Sequence, residues 1–78
     1  MRVTDMYPNS PNVSVPGYSA HDVSYYTNRA YVLYDRQTVC IDPVSPALAT
    51  VIARYLLGVE NVIFRSFNSS GHAVYRSN

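Results

Sequence analysis

Lysine and tryptophan are absent from this chain of 78 residues, and cysteine occurs once, at Cys40. A single thiol excludes an intrachain disulfide. His21 and His72 are far apart and stand in no ligand-spaced cluster, so a structural metal has no donor set. Glycine is limited to Gly17, Gly58 and Gly71, each isolated, which excludes a phosphate-cradling loop. No run approaches the ~20 apolar residues that cross a bilayer. Met1-Arg2-Val3-Thr4-Asp5 lacks the basic and then apolar regions of a secretion signal. Charge is scarce: six arginines face five acidic residues, a net charge of +1. That balance falls short of the basic stripe that captures nucleic acid electrostatically. The expectation is a cytoplasmic protein with no membrane span, metal or cofactor. Asn12-Val13-Ser14 and Asn68-Ser69-Ser70 fit the glycosylation pattern, and without a secretion signal they read as accidental.

What is present has the character of an interface. All the basic residues are arginine and there are eight tyrosines. Tyr and Arg are enriched where proteins meet, and Lys is depleted there. Codon bias in a GC-rich genome gives the same composition. A single domain of this size buries only about 60% of its unfolded surface, so its core is marginal. With no disulfide or metal, self-association is the remaining common support.

Residues 1–28 hold three of the five prolines, with Asn9, Ser10, Asn12, Ser14, Gly17 and Ser19 among them. This is turn composition without periodicity, and it reads as an extended, irregular N-terminal arm. Val13-Ser14-Val15 has the alternation of a minimal strand, and Tyr7, Tyr18, Tyr25 and Tyr26 are candidates to dock the arm. A domain over 29–78 follows. Ala30 to Tyr34 and Thr38 to Ile41 are rich in aromatic and β-branched residues, and Asp35-Arg36-Gln37 connects them as a hairpin. Tyr31 and Leu33 alternate with Val32 and Tyr34, so both faces of the first strand are apolar and the strand reads as central or partnered.

The next boundary is sharp. Asp42-Pro43 ends the strand, Ser45 suits an N-cap, and Pro46 suits the first helical turn, where its missing N–H costs nothing. The helix runs to Leu57, and Gly58 supplies the left-handed residue past its end. Leu48, Val51, Ile52, Tyr55 and Leu56 recur at helical spacing. The other face carries Ala49, Thr50, Ala53, Arg54 and Leu57, with one charge, where a solvated helix carries more. Either a second copy of the chain or the arm covers it. Two further strands follow, Val62 to Phe67 and His72 to Arg76, around the turn Asn68-Ser69-Ser70-Gly71. The expected fold is α+β: one amphipathic helix on a mostly antiparallel sheet of three to four strands, in the order ββαββ, two layers deep.

Cys40, Asp42 and His72 are the one set that imitates a thiol catalytic arrangement. Cys40 lies between Val39 and Ile41, however, and an apolar setting raises a thiol's pKa. The bland reading, a small buried hydrophobe, is preferred. His21-Asp22 lies in the arm with no nucleophile spaced to it, and Asp35 and Asp42 have turn and capping roles to fill. The chain is therefore expected not to be an enzyme.

Tyr31, Tyr34, Phe64, Phe67 and Tyr75 interleave with Arg29, Arg65 and Arg76 on the inferred strands. One reading is a base-stacking sheet that binds single-stranded nucleic acid; the other divides these residues between core and protein interface. The preferred reading is a non-enzymatic protein-binding module, dimeric through the helix. Its expected partner contacts are Tyr31, Tyr34, Arg36, Thr50, Ala53, Arg54, Leu57, Arg65, Phe67, Tyr75 and Arg76. In size, motif poverty and Tyr/Asn/Ser content, the chain resembles small accessory proteins of phages and other viruses, anti-CRISPR proteins among them. That resemblance implies an inhibitor that occludes a host protein complex, or a minor virion structural or assembly protein.

Overall fold

The computed structural model describes residues 10–78. The elements run α1 (Ala20–Arg29), β1 (Tyr31–Val32), β2 (Thr38–Ile41), α2 (Pro46–Leu57), β3 (Val62–Phe67) and β4 (Ala73–Ser77). The fold is α+β, as the sequence implies. The four strands form one antiparallel sheet in the order β1-β2-β4-β3, so the last strand inserts between the second and third.

α2 forms where the local signals place it. Ser45 Oγ accepts from the Leu48 amide at 3.4 Å, Pro46 opens the helix, and Gly58 closes it at φ 67° with its N–H on the Arg54 carbonyl. Leu48 and Ile52 are fully buried and meet Val39, Ile41, Ala73 and Tyr75 in the core. Pleating sends the alternate residues of the central strands, Cys40 and Val74, to the opposite face.

The arm differs from its expected form over 20–28, because a second helix occupies that stretch. α1 has a capping box: Ser19 Oγ accepts from the Asp22 amide, and Asp22 Oδ2 accepts from the Ser19 amide, each at 3.1 Å. Its interior is poor in strong helix formers, but Val23, Ser24 and Thr27 fall at helical spacing and are buried. Thr27 Oγ1 satisfies itself on the Val23 carbonyl at 2.6 Å. α1 packs on α2 and β2. Ahead of it, Val15 bridges to Tyr18 rather than forming a strand from Val13, and Tyr18 Oη accepts from the Ser45 amide at 3.2 Å. That bond lowers the Tyr18 phenol's pKa by favouring its phenolate. Tyr18 and Tyr26 both pack on the core, so two of the four arm tyrosines dock it; Tyr7 lies outside the described residues.

The covered helix face is a further correction. Ala49 and Ala53 are 0% exposed within one copy of the chain. No second copy is needed to cover them: both belong to the core cluster that strand residues and Val23 of α1 also join. The strand after α1 is also shorter than expected. β1 is two residues long and lies at the sheet edge, not in its centre.

Candidate protein-docking surfaces

The helical layer is narrower than the four-stranded sheet. α2 lies against β2, β4 and β3, and α1 lies against β2, leaving a trough at each margin of the sheet on the helix side.

The first trough lies between the end of α2 and the tip of the β1–β2 hairpin. It is a cleft of ≈ 580 Å³ lined by Val32, Leu33, Leu56 and Leu57, with Tyr34 and Arg36 at its rim. The tip is fixed by Asp35. Its Oδ1 accepts from the Gln37 and Thr38 amides at 2.8 and 3.1 Å, and its Oδ2 accepts from Thr38 Oγ1 at 3.1 Å. The Arg36 amide closes the turn on the Leu33 carbonyl at 2.9 Å. Arg36 adopts φ 59°, a left-handed conformation that costs a non-glycine residue on the order of 1 kcal/mol. Tyr34 is 99% exposed.

The Asp35 carboxylate is held below its ordinary pKa, first by the Gln37 amide and then by Thr38. A lowered folded pKa contributes order that is fully present above the ordinary Asp value and lost as pH falls through the lowered one. The Gln37 and Thr38 amides are therefore expected to lose exchange protection only in acid below the usual carboxylate range. Asp35→Asn should show that loss at neutral pH, as followed by amide NMR. Protection unchanged in the variant would contradict the role assigned to Asp35.

The second trough lies between β3 and the start of α2. It is an apolar groove of ≈ 460 Å³, with Val44, Pro46 and Thr50 on one wall and Val62, Phe64 and Phe67 on the other. Tyr75 is part of its lining and is itself buried; its phenol's pKa is raised by that burial. A bulge builds the aromatic wall. Phe64 pairs with Tyr75 and Ser66 with Val74, leaving Arg65 unpaired. The extra residue brings Phe67, opposite Ala73, back to the side of Phe64; a regular strand would turn it to the other face. The rings of Phe64 and Phe67 lie 5.3 Å apart, and those of Phe64 and Tyr75 5.4 Å apart.

The sheet's open face is polar by comparison. Tyr31 lies opposite Cys40, and its ring stands 6.0 Å from His72. Hydrogen bonding to Cys40 raises the Tyr31 pKa. Asp42 joins Arg29, and Asp42 Oδ1 lies 3.2 Å from His72 Nε2, so α1 is tied to the sheet there. Cys40 is buried, with the Asn68 amide nitrogen 3.9 Å from its sulfur. His72 Nδ1 is buried without a hydrogen-bond partner, and among the described residues no hydrogen bond joins His72 to Cys40. Asp42 and His72 thus meet as two members of the three, while the thiol contacts Asn68. Among the described residues no group of three or more His, Cys, Asp or Glu is placed to hold a metal ion, and no helix is long and apolar enough to cross a membrane.

The expected contact residues are dispersed. Tyr34, Arg36 and Leu57 converge on the hairpin cleft, while Thr50, Phe67 and Tyr75 converge on the β3 groove. Arg54 is exposed on α2 and Arg65 is exposed at the bulge. Tyr31 and Arg76 belong to the open face, where Arg76 donates to Gln37 Oε1 at 3.1 Å. Ala53 is fully buried in the core and offers a partner no surface, and Tyr75 can offer only an edge. No protein family, curated protein or solved structure matches the chain. A functional reading therefore rests on these surfaces. Phe64, Leu33 and Leu56 were missing from the expected contacts. The Phe64-x-x-Phe67 spacing was visible, but reading it as one face requires the bulge.

Proposed function

We propose that the chain is a non-enzymatic protein-binding module whose working surface is the hairpin tip and the cleft behind it. The observation that carries this is a fully exposed tyrosine beside a left-handed arginine, on a tip fixed by the Asp35 hydrogen bonds, over a cleft that Leu33, Leu56 and Leu57 help to line. Tyr and Arg are the side chains that dominate binding energy at interfaces. A tip already ordered loses little entropy on docking. Strain held at one residue of an otherwise well-bonded loop is characteristic of functional sites. The likeness to phage accessory proteins in size and composition supports an inhibitory role, in which the tip enters a depression on a host protein and occludes it.

The nucleic-acid reading has less support. Phe64, Phe67 and Tyr75 stand on the helix side of the sheet, Tyr34 is in a turn, and Tyr31 is left alone among the five on the open face. A base-stacking platform needs such rings in a row on one accessible face.

Affinity capture from host extract, with the wild-type chain and a Tyr34→Ala variant side by side, tests the proposal. Neither Tyr34 nor Arg36 supports the core, so the variant should melt as the wild type does. A partner held by the wild type and weakened by about 30-fold in the variant is the expected result. A partner retained equally by both would place the working surface elsewhere.

A further inference from the structure

The β3 groove shares no lining residue with the hairpin cleft, and the hairpin-tip reading leaves it unused. One side chain in it is out of keeping with its setting. Tyr75 is 6% exposed, yet among the described residues its hydroxyl has no hydrogen-bond partner. A buried tyrosine ordinarily finds one, because a polar group taken from water and left unpaired is costly. The hydroxyl is not sealed in the core either. Among the described residues, the side-chain polar atom that is both shut off from solvent and unpaired is His72 Nδ1. Tyr75 Oη therefore reaches accessible space, and the cleft that its side chain lines is the β3 groove. Thr50, on the α2 wall, brings a second hydroxyl with no hydrogen-bond partner among the described residues.

We propose that the β3 groove binds a small, neutral aromatic molecule through an oxygen acceptor that takes the hydrogen bond of the Tyr75 hydroxyl. The lining sets each part of that chemistry. No charged side chain contributes to it, so an ion would lose its hydration there against no counter-charge. A body with no polar atom would leave both hydroxyls unpaired. Phe64 and Phe67, 46% and 61% exposed, offer ring surface, and they already pack edge to face, as Phe64 does with Tyr75. An aromatic ligand extends that arrangement. Pro43 and Pro46 stiffen the backbone on the other side, so little order is lost on binding. Burial raises the Tyr75 pKa, which keeps the phenol protonated as a donor. A volume of ≈ 460 Å³, mostly apolar with a few polar groups, is that of a small-molecule site.

Acetophenone, ethylbenzene and benzoate are near-isosteric probes that carry a neutral acceptor, no acceptor and a charge. In amide NMR titrations of the full chain, acetophenone is expected to shift the groove residues with a Kd on the order of 1 mM. Benzoate should bind at least about 10-fold more weakly. Tyr75→Phe removes a hydroxyl that bonds to nothing in the fold, so the variant should melt as the wild type does. It should weaken acetophenone by about 5-fold and leave ethylbenzene unchanged. Groove amides unmoved by acetophenone, equal acetophenone binding by wild type and Tyr75→Phe, or benzoate bound as tightly as acetophenone would overturn the proposal. A host protein captured through Phe67, with acetophenone leaving the groove amides in place, would overturn it as well and make the groove a protein contact. Tyr34→Ala should leave acetophenone binding unchanged. Partner capture through the tip can therefore fail while the groove stands, and the reverse.

Discussion

Replacing Ala53 with glutamate is expected to abolish the cooperative thermal unfolding of this domain. Ala53 and Ala49 lie one turn apart on α2 and are fully buried within the core cluster that also holds Val23 of α1. Small residues there let α2 approach its neighbours in the core closely. A glutamate at 53 must push the packed elements apart or bury a carboxylate among apolar side chains, and either cost exceeds about 4 kcal/mol. A domain of this length has a total stability of only about 4–12 kcal/mol. From the sequence, Ala53 was an expected partner contact; its full burial within one copy reverses that expectation. Arg54→Glu, one residue on and exposed, is the control and should change stability by no more than about 0.5 kcal/mol. Calorimetry on both variants checks the contrast. A cooperative melt retained by Ala53→Glu would contradict the burial of Ala53 in the core.

Ile52→Ala should destabilise the domain by about 2–5 kcal/mol. Ile52 is fully buried, within the cluster that includes Val39, Ile41 and Tyr75. The substitution removes apolar burial and leaves a cavity in a core with few large side chains to collapse into it. In a domain of this size, each kcal/mol corresponds to about 4–8 °C, so Tm should fall by more than ~10 °C. Urea denaturation would show the midpoint shift with little change in slope. Tyr55→Ala, on a half-exposed position of the same helix, should cost clearly less. Equal losses at the two sites would contradict the placement of the core under Ile52.

Much of the fold was legible because it is written locally. The helix from Pro46 to Leu57 carries its start at Ser45 and Pro46 and its stop at Gly58, and each acts within a few residues of itself. α1 was missed although Ser19-x-x-Asp22 is a capping signature, because Ser24, Tyr25, Tyr26, Thr27 and Asn28 favour helix weakly. Its packing on α2 supplies what propensity does not, and Asn28 Nδ2 adds a bond to the Ser24 carbonyl at 2.8 Å. The candidate sites were legible in part. Tyr34 and Arg36 were expected as contact residues from composition and turn position. That they share a cleft with Leu57 follows from the end of α2 meeting the hairpin, two segments about twenty residues apart in sequence.

The sequence by itself determined where the four strands and the second helix lie and which helix face holds Leu48 and Ile52, since capping groups, turn residues and periodicity act over a few residues. The tertiary structure alone decided that Ala53 is buried in the core of one copy, that β4 inserts between β2 and β3, and that a bulge at Arg65 turns Phe67 towards Phe64. Those outcomes are choices among pairings of distant segments. They are made by burial and register across the assembled core, which no local window of residues contains.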